Sequence, residues 1–203
     1  MTEQEKIEKL HRLNKTEEKI FQLAQPFLKV RDNETHTRSA MRFALRLLET
    51  EEGDRDVVIP AVTLHDVGYH ALTENLISRA WGPRKEKEIT RMHEQEGARI
   101  AATILKKAGY DVRKTAEILQ IIDGHDTRST ALSNNDRVVK DADKLTRYAK
   151  SLESWLPDFC PTIEEAAARL ERSIDDWFFL PVSKEIARAE MRQRRIEAEK
   201  DSR

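Results

Sequence analysis

Apolar residues recur along the chain at helical spacing. A segment that begins at Asp32 or Asn33 and runs to Gly53 carries them at positions i, i+3, i+4 and i+7, namely Met41, Ala44, Leu45 and Leu48. Both candidate first residues have side chains that accept hydrogen bonds from the first turn of a helix. The pattern therefore predicts an amphipathic helix with His36 in its first turns.

Most of the remaining chain shows the same spacing. In the first half, helices are predicted over 3–30, with a bend or break at Pro26, and over 89–108, ended by Gly109. In the second half, helices are predicted over 111–122, capped by Asp111, over DRVVKDADKLTRYAKSL, capped by Asn134, Asn135 or Asp136, and over 162–174, which begins with a Thr162/Glu165 capping box. A last, highly charged helix from Ser183 is either solvated or bound to a partner subunit. The charge-rich stretch 70–88 is predicted to be a loop or disordered. We find no repeat, no extended strand alternation and no Gly-rich phosphate loop.

The segment from Asp56 to Asp66 has a different pattern. Its apolar residues, Val57, Val58, Ile59, Ala61, Val62 and Leu64, surround the whole helix. A helix that is apolar all round is buried on all sides. Pro60 is tolerable if it lies near the first turn, and Gly68 is a natural stop after the last turn.

The composition favours one all-α domain. Hydrophobic residues make up 38% and charged residues 36% of 203 residues, with only six Gly and six Pro. The 36 basic and 37 acidic side chains give a net charge of −1, so no global field attracts nucleic acid or an anionic membrane. Cys160 is the only cysteine, and the start of the chain lacks the apolar core of a signal peptide. We expect a soluble, cytoplasmic protein.

Candidate chemistry begins at the end of the buried helix, with His65 and Asp66. An unpaired charge there would cost several kcal/mol. A divalent metal ion is a suitable partner, because imidazole and carboxylate groups both bind such ions. His36, His93 and, if its helix continues past Gly124, His125 also lie on inward faces of predicted helices. One such histidine alone is more often a hydrogen-bonded core residue, but four of them with an adjacent aspartate indicate a metal site inside a bundle.

The order of these residues resembles the HD superfamily, which is named after its adjacent His-Asp pair. The likeness covers residues 32–150 and rests on His36 and on four local motifs: LHDVG at 64–68 resembles L-H-D-I-G, HEQEGA at 93–98 resembles H-P-x-x-G-A, 122–125 resembles I-x-x-H, and ADKL at 142–145 resembles A-D-[KR]-L. Ser39 departs from the pattern, because the family's H-x-x-R motif often has Arg there.

This resemblance implies an all-α bundle with the metal site in its core. Residues 31–150 would form the HD core, with packing helices in 1–30 and a helical extension of the same domain in 151–203. The centre would hold one or two divalent ions (Mn, Fe, Mg, Zn or Co). If the chain is similar to the two-metal subset of the family, Asp66 would bridge the two ions, with His36, His65 and Asp143 on one side and His93 and His125 on the other. The simplest members bind one ion with the H, HD and D residues alone.

The last metal ligand is ambiguous from periodicity, because Asp141 and Asp143 both flank Ala142. Neither projects through the centre of the apolar stripe of this helix. Alignment with the A-D-[KR]-L motif selects Asp143, which leaves Asp141 exposed or as a carboxylate that orients a ligand.

The resemblance further implies a metal-dependent phosphohydrolase with His65 and Asp66 at its catalytic centre. Arg128 and Lys144 are candidates to bind phosphate oxygens, and solvent-exposed cations are the alternative interpretation. Tyr69 stands where the branch that cleaves cyclic dinucleotides has Lys, and no G-Y-P follows His125. The motifs look more like small hydrolases acting on nucleotides or related phosphorylated metabolites. A homodimer is possible.

Two other functional classes remain open. A few HD proteins with the same ligand order are mixed-valent di-iron oxygenases, and metal content would distinguish them from hydrolases. The other class is a catalytically silent binding or scaffold protein, which leaves the buried polar set without a purpose. The aromatic residues after the motifs, Trp155, Trp177, Phe178 and Phe179, are expected in the core, with stacking on a substrate base as the alternative.

Overall fold

The computed structural model describes residues 12–80, 85–155, 160 and 162–201. This part of the chain contains nine α-helices and no strands. The helices are α1 (Lys15–Ala24), α2 (Asn33–Leu47), α3 (Arg55–Leu64), α4 (Glu74–Ala80), α5 (Lys87–Ala108), α6 (Val112–Ile122), α7 (Asn134–Leu145), α8 (Ile163–Trp177) and α9 (Pro181–Asp201). The predicted all-α class is therefore confirmed. Residues 3–11 of the first predicted helix lie outside the described residues.

Helix α3 is the centre of the bundle. Every residue from Val57 to Leu64 is buried, and α1, α2, α6 and α7 pack around it, as the apolar pattern predicts. Pro60, however, lies in the helix interior rather than near the first turn. Because proline has no N–H, the carbonyl of Asp56 loses its helical partner, and the Tyr110 hydroxyl donates a hydrogen bond to it instead.

Several predicted helix boundaries shift by a few residues. Helix α2 ends at Leu47 rather than Gly53, and Ser133 caps α7 with a hydrogen bond that its hydroxyl accepts from the backbone N–H of Asp136. Asp111 caps α6 as predicted, and Gly109 ends α5 in the left-handed conformation, with φ of 71°. These differences leave the order of the helices unchanged.

The prediction of a loop or disorder over 70–88 is wrong at two places. Val67–Ala71 forms a 3₁₀ turn, and α4 follows it. Both pack on α5 through a small apolar cluster made of Tyr69, Leu72, Ile77, Ala80 and Ile89. Helix α4 has only seven residues, too few for a stable isolated helix, so tertiary contacts supply its stability.

The C-terminal helices α8 and α9 pack against each other, and α9 also contacts α7. Ser183, Ile186, Ala187 and Met191 of α9 are buried, so this charged helix has an inward face within the chain itself. Phe178 is buried beside Tyr148, as a core residue would be. None of the described helices is long and apolar enough to cross a membrane.

Candidate metal centre

Three predicted ligands converge at the inner ends of α2, α3 and α7. The Nε2 atom of His36 lies 3.1 Å from Nε2 of His65 and 3.1 Å from Oδ1 of Asp143. The same Asp143 oxygen is 3.7 Å from Nε2 of His65. These three atoms define the first position of the centre.

A second group of ligand atoms forms from α5 and from the loop after α6. The Nε2 atoms of His93 and His125 are 3.4 Å apart. Oδ2 of Asp126 lies 3.8 Å from Nε2 of His93. These atoms define the second position.

Asp66 lies between the two positions and directs one carboxylate oxygen at each. Oδ2 is 3.5 Å from Nε2 of both His36 and His65. Oδ1 is 3.5 Å from Nε2 of His125 and 3.8 Å from Nε2 of His93. One side chain therefore joins all four imidazoles into a single cluster.

The donor set fits divalent metal ions. Ligand atoms bound about 2.1 Å from one ion lie roughly 3.0–3.5 Å apart, close to the spacings within each group. His65 and His125 each present Nε2 to the cluster because their Nδ1 atoms lie 2.7 and 2.9 Å from the carbonyl oxygens of Val62 and Ile122, which accept the Nδ1 protons. His125 does so although α6 ends at Ile122, since Gly124 turns the chain with φ of 126°.

His93 is oriented by packing. It is fully buried, and its ring stacks on that of Tyr69 with 4.2 Å between centroids. Its Nδ1 atom is buried and has no hydrogen-bond partner among residues 12–80, 85–155, 160 and 162–201. The ring plane is therefore fixed by the aromatic contact, with Nε2 toward the second position.

Burial and charge set the ionisation of the cluster. Burial opposes the charged form of His65, but the carboxylates of Asp66 and Asp143 outweigh it and raise the pKa of His65 to about 9. The neighbouring imidazoles hold the pKa of Asp66 well below its usual range, against the effect of burial. Burial lowers the pKa of His93 to about 4 and His125 adds to this effect. The cluster thus combines ionised carboxylates with a protonated His65. A metal ion bound there would take the place of the proton on His65.

Two buried charges hold the loop that carries His125 and Asp126. The Glu94 carboxylate accepts hydrogen bonds from the backbone N–H groups of Asp126 and Thr127, at 2.8 Å each. From the other side, the Lys140 ammonium donates to the carbonyl oxygens of Gly124 and His125, at 2.9 Å each. Glu94 is 0% exposed and Lys140 is 2% exposed, so this support lies inside the protein.

The two cations predicted to bind phosphate are engaged elsewhere. The Arg128 guanidinium donates to the carbonyl of Asp123 at 3.0 Å and to the buried carboxylate of Asp136 at 2.9 Å. The Lys144 ammonium donates to the carbonyl of Trp177 at 2.6 Å and lies over the Phe179 ring. Arg128 thus closes the end of α6, and Lys144 links α7 to the C-terminal helices.

Two residues of the site were missed from the sequence. Asp126 follows His125 directly and joins the second position. Arg147 lies four residues after Asp143, with its guanidinium 3.6 Å from Oδ2 of that residue. The i, i+4 spacing of opposite charges was the available signal for Arg147. These residues place one more carboxylate and one cation at the centre.

Asp141 lies apart from the cluster. It is fully buried, and its carboxylate accepts hydrogen bonds from the backbone N–H groups of Phe179 and Leu180, at 3.0 and 2.9 Å, just before α9. Burial nevertheless raises the pKa of Asp141. Of the two candidates beside Ala142, the structure brings Asp143 to the imidazoles and Asp141 to the start of α9.

Comparison with known families identifies the class of protein that this helical cluster represents. The family model of the HD domain matches residues 33–148, more than half of the chain. The chain belongs to the HD domain family, and it is therefore a member of a superfamily of metal-dependent hydrolases. No curated protein and no solved structure gives a significant match.

Proposed function

We propose that this protein is a phosphohydrolase that cleaves a phosphate ester or anhydride of a small metabolite, with nucleotides as the favoured substrate class. The observation that carries the proposal is the position of Asp66, whose two oxygens face two separate pairs of histidines. Such an arrangement suits two neighbouring ions that share one carboxylate. Membership of the HD family supports the same chemistry.

In this proposal the ligands divide between two ions. His36, His65 and Asp143 would hold the first together with Asp66, and His93 and His125 would hold the second together with the same Asp66 carboxylate. Bound divalent ions would neutralise phosphate oxygens and lower the pKa of water at the centre. The nitrogen and carboxylate donors suit Mn, Fe, Zn or Co, and the carboxylates also suit Mg.

The chain's own groups position the substrate and the attacking water. Arg147, whose side chain is 34% exposed, has a planar guanidinium suited to phosphate oxygens, and it takes the role that the sequence assigned to Arg128 and Lys144. The Asp126 carboxylate borders the second position, with Oδ2 3.8 Å from Nε2 of His93, and this placement suits it to accept the proton of the attacking water. Asp126 lies next to Asp66 because Nε2 of His93 is 3.8 Å from an oxygen of each carboxylate. Arg147 lies on the other side of the centre, beside Asp143.

The test combines metal analysis with a phosphate-release screen over nucleotides, dinucleotides and sugar phosphates. We expect about two ions per chain and hydrolysis that depends on them. Asp66→Ala should lose both metal and turnover while keeping its helicity, because it removes the shared ligand and little core volume. Asp176→Ala, an exposed residue of α8, is the matched control and should behave as wild type.

Three outcomes would contradict the proposal. Full activity in Asp66→Ala would remove Asp66 from the centre. A redox-active iron pair that consumes O₂ without releasing phosphate would favour the oxygenase class. Failure to bind any divalent ion would leave a binding or scaffold role.

A further inference from the structure

A cleft of about 530 Å³ opens beside the metal centre, between the start of α2 and the turn after α7. Its lining includes four cationic side chains, Arg31, Arg38, Arg42 and Lys150, against one carboxylate, that of Asp32. His36, a ligand of the first position, forms part of the same wall. The cleft and the metal centre are therefore adjacent spaces that share a side chain.

Two of these cations form no ion pair within 4.0 Å in the described part of the chain. Lys150 makes no hydrogen bond or ion pair with any residue in the described part of the chain. Among the described residues, the Arg42 guanidinium donates one hydrogen bond, a long one of 3.4 Å to the hydroxyl of Ser39. Arg38 shares its charge with Glu34. Like charges gathered in a concave space favour an anionic ligand, because each cation raises the potential that the others experience.

The backbone at the rim of the cleft is strained. Arg31 and Asp32 are consecutive non-glycine residues with φ of 58° and 55°, in the left-handed region that disfavours a β-carbon. This turn places the Arg31 guanidinium 4.6 Å from the centre of the Tyr69 ring, which itself stacks on His93. The cleft thus contacts both positions of the metal centre. Arg31 reaches the second position through Tyr69 and His93, and His36 is shared with the first position.

We propose that this cleft binds a second phosphate group of the substrate, so that the preferred substrate is a phosphoanhydride such as a nucleoside diphosphate rather than a monoester. The inference rests on the proposed phosphohydrolase function. The oxygen of water forms a bond to the phosphorus held at the metal centre, and the bond from that phosphorus to the bridging oxygen breaks. The electron pair of that bond stays on the leaving phosphate in the cleft, and the proton of water passes to Asp126.

The kinetic test compares a nucleoside diphosphate with the matching monophosphate. Arg42→Ala and Lys150→Ala should each lower kcat/KM for the diphosphate by about tenfold, the loss expected for one charged contact. The same variants should change kcat/KM for the monophosphate by less than about twofold, because that substrate leaves the cleft empty. Arg46→Ala, an exposed arginine further along α2, is the matched control and should change neither value.

A binding measurement tests the cleft without turnover. Inorganic pyrophosphate is titrated calorimetrically into the protein in EDTA, and it is tested as an inhibitor of the metal-loaded enzyme. We expect weaker pyrophosphate binding in Arg42→Ala and Lys150→Ala, and competitive inhibition of the wild type.

The outcomes separate this inference from the proposed function. Phosphate release with equal losses on both substrates, or with none, would overturn the cleft assignment and leave the hydrolase function standing. Cleft-dependent pyrophosphate binding with non-competitive inhibition would also overturn it, in favour of a separate regulatory anion. Absence of phosphate release from every substrate would overturn the proposed function, and with it the inference.

Discussion

The backbone of Gly68 lies directly against the backbone of Gly97. A β-carbon added at Gly68 would lie 2.5 Å from the amide nitrogen of Gly97 and would also clash with the carbonyl oxygen of His93. This contact presses the turn after Asp66 onto helix α5, and so brings a carboxylate of one element to a histidine of another. Gly68 was predicted as a helix stop, but α3 ends at Leu64 and the role of Gly68 is this close approach.

Gly68→Ala should therefore reduce the free energy of unfolding by about 3 kcal/mol or more, because backbone atoms cannot move aside as a flexible side chain can. The measurement is urea unfolding of the metal-free protein. Gly109→Ala is a useful comparison: no atom of the described residues lies within 4 Å of its added β-carbon, so the cost there is that of the left-handed conformation, about 1–2 kcal/mol. Equal stability of the two variants would contradict the close-approach argument.

His93→Ala and His125→Ala should each lower the bound metal from two ions to about one per chain, since His36, His65 and Asp143 belong to the first position. Elemental analysis of the purified variants gives the stoichiometry. A wild-type protein that holds a single ion, with both histidines bonded to protein groups, would instead indicate a mononuclear centre.

Asp143→Asn and Asp141→Asn should fail in different ways. Asp143→Asn should be inactive with its fold retained, because it removes a carboxylate that faces two imidazoles. Asp141→Asn should keep its metal but lose about 1–3 kcal/mol of stability, since an amide can accept only one of the two backbone N–H bonds well. Activity assays paired with thermal unfolding distinguish them, and a metal-free Asp141→Asn would reverse the assignment.

Metal binding should release protons and should strengthen as the pH rises from 7 to about 9. The pKa of His65 is raised to about 9 in the metal-free protein, so below that pH an ion must displace its proton. The same shift stabilises the metal-free fold fully below the ordinary pKa of about 6.5, and this contribution is lost as the pH rises through 9. Calorimetry in buffers of different ionisation enthalpy counts the released protons. An affinity that stays flat between pH 7 and 9 would exclude this linkage.

Much of the fold followed from local patterns. The all-round apolar surface from Val57 to Leu64 predicted a buried central helix, and the stop at Gly109 and the cap at Asp111 were correct. These signals are local because a helix is defined by neighbours in sequence. The short α4 was missed because its stability comes from contacts with α5, which no window of sequence contains.

The site could be predicted from the sequence less completely than the fold. Family motifs picked out the six residues that the structure brings together, and periodicity alone could not separate Asp143 from Asp141. Arg128 followed a motif histidine, yet its guanidinium is directed to Asp136, a residue eight positions later that becomes a buried partner only in the fold. The role of a cation depends on which carboxylate or carbonyl the fold places within its reach.

The loop with His125 and Asp126 is fixed by Glu94 and Lys140, which are hidden from solvent, whereas Arg42 and Lys150 of the cleft are exposed. Exposed substitutions usually change stability by less than about 0.5 kcal/mol, while buried charges tolerate little change. Ligand selection can therefore vary independently of the reaction centre. To change the ligand that the proposed cleft binds, an engineer would randomise the residues at the rim of the cleft and keep Glu94 and Lys140 unchanged.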